Sequence, residues 1–322
     1  QERALTKHYT ENNEAYQFYL KGRFYWNTRS AAGFKKASEQ FQNAVDKDPS
    51  FALAYVGLAD CYVVMEQYAG VPSSESLPKA RAAVVRALQI DDSLAEAHAS
   101  LGLINEHLWQ VADAEKEYKR AIELNPNYPT VHHWYALLLF VTGRLDDGMA
   151  EIKRAQQLDP LSAVITANVG NHYFARGDLN AAIEEYKKAI ELNPNFGLAH
   201  SFLGLTYLKQ GREQEARAEL QKAVEATGRA SQELGALGYG YGVMDKRAEA
   251  MAVLRELEEK YAKRESPGLY LAEVYAGLGG KDQAFAWLEK DFQARSSLLM
   301  YIDVFPLEPL RAAHATQTCC CA

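Results

Sequence analysis

The sequence predicts an all-α fold, an α-solenoid of about eight stacked helical hairpins, and three observations predict it. The hexapeptide Ala-Ile-Glu-Leu-Asn-Pro occurs at 121–126 and again at 189–194, 68 residues on, which is twice 34. Blocks starting at 95, 129, 163, 197, 231 and 265 run through six 34-residue units with no insertion or deletion. Fixed block positions carry one residue class: Gly102, Ala136, Gly170, Gly204, Gly238 and Ala272 stand eighth, and Ala114, Gly148, Ala182, Ala216, Ala250 and Ala284 stand twentieth. Such a period marks a repeat array. Two helices that cross at about 8–10 Å need small side chains at the crossing.

The elements follow in order. Residues 1–14 are a lead-in. A first hairpin over 15–51 carries Gly22, Tyr25, Ala37, Phe41, Ala44 and Pro49. The second, over 52–94, opens with Tyr55, Leu58, Ala59 and Tyr62 and closes with Ala80, Val84 and Ala87 after an insertion containing Gly70-Val71-Pro72-Ser73-Ser74, which predicts an exposed loop. Hairpins at 95–128, 129–162, 163–196, 197–230, 231–264 and 265–298 complete the array. Bulky partners accompany the small sites, among them Leu101, Val169 and Leu203 before the first, and Tyr118, Ile152, Tyr186 and Leu220 after the second. Asn125-Pro126, Asp159-Pro160 and Asn193-Pro194 stop second helices, because proline holds its predecessor out of helical geometry. Residues 299–315 are too short for a further hairpin and are expected to cap the stack. Residues 316–322 form a separate Thr/Cys tail.

This pattern resembles the tetratricopeptide repeat (TPR), whose consensus has small residues at positions 8, 20 and 27 and proline at 32. Position 27 reads Ala121, Ala155, Ala189 and Ala223 before departing at Leu257 and Asp291, so the last two units are degenerate though in phase. The resemblance implies a right-handed superhelix. Stretches such as Tyr19-Leu20-Lys21-Gly22-Arg23, Ala54-Tyr55-Val56-Gly57-Leu58-Ala59-Asp60 and His132-His133-Trp134-Tyr135-Ala136 further resemble the TPR regions of bacterial multidomain signalling and transcriptional regulators. Because the chain opens on Gln1, it is expected to be a piece of something longer.

The net charge of −7 and the absence of a basic run argue against nucleic acid as a partner. No apolar stretch approaches the ~20 residues of a membrane span, and no signal peptide is evident. The expected location is cytoplasmic, or periplasmic if the chain is part of a membrane-anchored regulator.

No constellation of reactive groups suggests an enzyme, a cofactor or a metal centre. The glycines of Gly235-Ala236-Leu237-Gly238-Tyr239-Gly240-Tyr241-Gly242 follow no strand and precede no Walker lysine, so they predict a loosened repeat helix rather than a phosphate loop. His98, His132 and His200 share position 4 of their repeats and are expected to be packing residues, as is Cys61 in its helix.

In TPR arrays the first helix of each hairpin lines the concave face through positions 2, 5, 9, 12 and 13. Carried onto this sequence, those positions include His133, Leu137, Phe140 and Val141; Asn171 and Phe174; Leu205 and Leu208; and Tyr239. Asn168 stands beside them at position 6. The resulting groove is apolar and aromatic and suits a hydrophobic peptide or helix, although tight coiling or a neighbouring domain could cover the same stripe. The terminal-carboxylate clamp of chaperone-binding TPRs is absent.

Thr316, Thr318, Cys319, Cys320 and Cys321 break with everything before them. Adjacent thiols build neither an ordinary disulfide framework nor a closed tetrahedral site. Four readings stay open: a sequence appended to the native chain, a peptide altered by a tail-modifying enzyme, soft-metal capture, and prenylation at Cys319. Two functions therefore compete. One is a non-catalytic scaffold gripping a protein or peptide segment. The other is a carrier or precursor whose tail is modified or binds metal, with the solenoid as recognition handle.

Overall fold

A computed structural model describes residues 10–304, and every regular element among them is helical. The helices are α1 (Asn13–Trp26), α2 (Ala31–Lys47), α3 (Ala52–Val63), α4 (Met65–Ala69), α5 (Ser73–Ile90), α6 (Ala95–His107), α7 (Val111–Leu124) and α8 (Pro129–Val141). They continue with α9 (Leu145–Leu158), α10 (Ala163–Ala175), α11 (Leu179–Leu192), α12 (Gly197–Lys209), α13 (Glu213–Ala226), α14 (Ser231–Val243), α15 (Arg247–Ala262), α16 (Leu269–Gly277) and α17 (Lys281–Gln293), then a 3-10 segment, Ser297–Val304. The chain divides into two compact units, 1–134 and 135–322. In the first, α1 pairs with α2, α3 with α5 and α6 with α7, and the first helices of successive hairpins neighbour one another. The second repeats this with α10–α11, α12–α13, α14–α15 and α16–α17. Each unit is an α-solenoid segment.

The small eighth residue of a repeat is the seat of a bulky residue from the second helix. A Cβ on Gly102 would stand 2.6 Å from the Tyr118 ring, one on Gly170 2.5 Å from Tyr186, and one on Gly204 2.8 Å from Leu220. Phe41 fills the corresponding seats of both Gly22 and Gly57, closing the first hairpin on the second. Burying each such ring or aliphatic side chain is worth about 1.5–3 kcal/mol. The hydroxyls of the two seated tyrosines are satisfied as well. Tyr118 donates to Glu106 Oε2 at 2.7 Å, and Tyr186 donates to Asn171 Oδ1 at 2.8 Å.

The turn between the two helices of a hairpin takes left-handed backbone at one recurrent place: Arg29, Gly70, Trp109, Gly143, Gly177, Gly211, Asp245 and Gly279 all have positive φ. Glycine fits there because it has no Cβ to clash. Where the second helix ends, Asp48, Asp91, Asn125 and Asn193 adopt extended or near-extended backbone and accept the amide two residues on at 2.9–3.1 Å. These side chains replace the helix's lost ladder.

Three expectations are corrected. The insertion is not an exposed loop: Met65–Ala69 is helical, Gly70, Val71 and Pro72 are half-buried, and buried Ser73 donates to buried Glu66 at the start of α5. The glycine run is a close-packed helix rather than a loose one. Gly235, Gly238 and Gly242 turn one face of α14 onto α16, where added Cβ atoms would come within 2.4–2.5 Å of Glu273, Val274 and Gly277. Asp291 is no failed small position. Its carboxylate accepts the amides of Gly268 (2.9 Å) and Leu269 (2.7 Å), capping α16 from α17. The greater part of the 299–315 cap and the tail residues Thr316, Thr318, Cys319, Cys320 and Cys321 lie outside the described residues.

Candidate functional site

Among the residues expected to line a groove, His133 belongs to the first unit and the others to the second. Leu137 and Val141 on α8, Phe174 on α10, Leu205 and Leu208 on α12 and Tyr239 on α14 are all half-buried. They are neither sealed into the hairpin cores nor fully exposed. Phe174 and Leu208 flank the core around Tyr186 and Leu203, while Leu205, Leu208 and Tyr239 flank the core around Leu220 and Leu254. Lys209 stands 4.8 Å from the Phe174 ring centre, so α12 lays a cation over an α10 aromatic.

His133, Phe140 and Asn171 are buried. Phe140 meets His172 edge-on at 5.2 Å between ring centres. Asn171 donates to Asn168 Oδ1 at 3.0 Å while accepting from Tyr186, and Asn168 donates to the Val164 carbonyl at 2.9 Å. These two amides tie α10 to itself and to α11.

The histidines at position 4 do more than fill space. His98 and His200 each meet a glutamate of their own second helix, Glu117 and Glu219, through Nδ1 at 2.6 Å. Their Nε2 atoms, with that of His132, lie 2.9–3.0 Å from the carbonyls of Asp92, Pro194 and Pro126. Each is a buckle across the repeat entrance. The Glu219 hydrogen bond raises the His200 pKa.

Two buried polar groupings were not visible in the repeat pattern. In the first unit, Asp60 on α3 is 1% exposed, accepts from Ser100 at 2.5 Å, and has its Oδ2 3.7 Å from Arg23 Nη1, beyond hydrogen-bond reach. Burial pushes this carboxyl up to about 6 against the pull of Arg23. Arg23 and Arg29 lie 4.8 and 3.6 Å from the centre of the Trp26 ring. In the second unit Glu233 on α14 and Glu273 on α16 are both buried, and Glu273 Oε1 has no hydrogen-bond partner. Burial lifts Glu233 to about 7; burial and the Glu233 charge hold Glu273 well above the carboxylate range. One signal was available. Arg29 occupies a turn position where other repeats place glycine.

Among the described residues no cluster of three or more His, Cys, Asp or Glu could hold a metal ion, and no helix is long and apolar enough to cross a membrane. Cys61 is buried, and burial pushes its thiol pKa up, which leaves it unreactive.

Family models of the tetratricopeptide repeat match residues 95–128, which are the α6–α7 hairpin, 170–211, from within α10 through α12, and 199–228, on α12–α13. These stretches are tetratricopeptide repeats. The chain also resembles a bacterial regulator, the transcriptional regulator HilA of Salmonella typhimurium, at 26% identity over 142 residues, or 44% of this chain and 26% of that protein. The match thus spans about a quarter of the relative's length. Among solved structures, human IFIT1, a dimer with PPP-AAAA, superposes with a TM-score of 0.60 at 18% identity over 82% of this chain and 69% of its own. Pseudomonas aeruginosa PilF gives 0.51 at 21% identity over 67% and 93%. These likenesses show the TPR fold alone. That fold serves in general as a non-catalytic protein-interaction scaffold.

Proposed function

We propose that this TPR chain is a non-catalytic scaffold whose second unit holds a protein or peptide segment along the first helices of its hairpins. The observation that carries the reading is the half-buried apolar stripe of Leu137, Phe174, Leu205, Leu208 and Tyr239, drawn from α8, α10, α12 and α14. Half-burial leaves surface that a ligand can cover, with favourable transfer of about 25 cal/mol per Å² of apolar area. An amphipathic helix offering apolar residues at i, i+3 and i+7 suits such a stripe. Within the second unit the buried Phe140 and Asn171, with Asn168, act as supports.

Displayed peptide libraries provide the test. Peptides selected on the wild-type chain should carry apolar anchors at helical spacing and lose at least tenfold in affinity against Phe174→Ser/Tyr239→Ser, with helical content unchanged. Phe140 is avoided because its burial makes any loss ambiguous. Peptides that bind the double variant equally well would sink the assignment.

A further inference from the structure

The first unit carries a grouping that the apolar stripe does not explain. Arg29 lies at the α1–α2 turn with φ 52, the backbone region that Gly70, Gly143, Gly177, Gly211 and Gly279 occupy in other hairpins. An L-residue there is strained, as at Trp109 and Asp245 in two other hairpins, so the turn itself does not call for arginine.

Its guanidinium stacks on Trp26, and Arg23 approaches the same ring from α1, so two like charges share one indole. Carboxylates only partly offset them. Asp60 lies 3.7 Å from Arg23, with its other oxygen taken by Ser100, and the half-buried Glu96 on α6 acts on Asp60 from further off. Among the described residues no carboxylate forms an ion pair with Arg29. Both arginines keep part of their surface exposed, although burial lowers the Arg29 pKa. Planar guanidinium groups with spare donors match the lone pairs of an oxyanion.

We propose that Arg23 and Arg29, gathered on Trp26, form an oxyanion-binding site on the first unit that takes a carboxylate or phosphoryl group of a ligand. Asp60 opposes the bound charge and sets its affinity. The site is independent of the apolar stripe, and its failure would leave the reading of the second unit standing.

The experiment is calorimetric titration of the full chain with inorganic pyrophosphate and with citrate at fixed ionic strength. Saturable one-to-one binding of either is expected; pyrophosphate alone identifies a phosphoryl source, citrate alone a carboxylate source, and binding of both an unselective oxyanion site. Arg29→Gly should weaken binding at least tenfold without lowering the melting temperature, since glycine is the residue this turn favours. Arg23→Gln should weaken it likewise, and Asp60→Asn should tighten it several-fold. Absence of saturable binding to either probe, undiminished binding by Arg29→Gly, or a lower melting temperature for that variant would each overturn the proposal.

Discussion

Gly242 on α14 and Gly277 on α16 meet backbone to backbone: a Cβ on Gly242 would lie 2.4 Å from the Gly277 carbonyl carbon, and one on Gly277 2.5 Å from the Tyr239 carbonyl oxygen. Side chains can rotate away from an added methyl, but backbone cannot. Gly242→Ala is therefore expected to destabilise the second unit by about 2–3 kcal/mol, although alanine is the better helix former by about 1 kcal/mol. Urea unfolding measures the difference. An unchanged midpoint would show that the two helices separate freely.

Glu273 supplies a prediction of opposite sign. Its folded-state pKa is raised, so the protonated form is the stable one in the core. Stability tied to it is complete below the unfolded value near pH 4.5 and falls as pH rises toward the folded pKa. Glu233 faces it from α14 and loses its share as pH climbs through about 7. Glu273→Gln should flatten the decline in stability between pH 5 and 8 and raise stability at pH 8 by about 1–3 kcal/mol. Parallel pH profiles for variant and wild type would refute this.

His200 titrates in the same sense for a different reason. Glu219 raises its folded pKa, so the buckle contributes fully below the unfolded value of ~6.5 and is lost as pH rises through the folded value. His200→Gln should lower the melting temperature at pH 5.5 and have a smaller effect at pH 8.5. A penalty independent of pH would mean that the imidazole only fills space.

The left-handed turns predict gains. Trp109 and Asp245 hold φ of 64 and 56 where glycine is the common choice. Trp109→Gly and Asp245→Gly should each stabilise the chain by about 0.5–1 kcal/mol, the gain being smaller for aspartate, which tolerates this conformation better. Thermal unfolding of the single variants decides it.

The sequence by itself determined the repeat, its phase and its hairpins, because a period of 34 with small residues opposite bulky ones leaves few other ways to bury Tyr118 or Tyr186. Repeat position singled out Leu137, Phe174 and Leu208, which are half-buried, but equally His133, Phe140 and Asn171, which the packing buries. Only the tertiary structure decided what neighbouring repeats do to one another. The run from Gly235 to Gly242 looks like a weak helix until α16 is laid across it, and Asp291 looks like a lapse from consensus until its carboxylate meets the end of α16. Arg23, Trp26 and Arg29 are close in the chain, but Asp60 stands in the next hairpin of a sequence that reveals only periodicity. The approach of Asp60 to Arg23 follows from the stacking of α1 on α3, and the raised pKa of Asp60 comes from burial, which no single residue encodes.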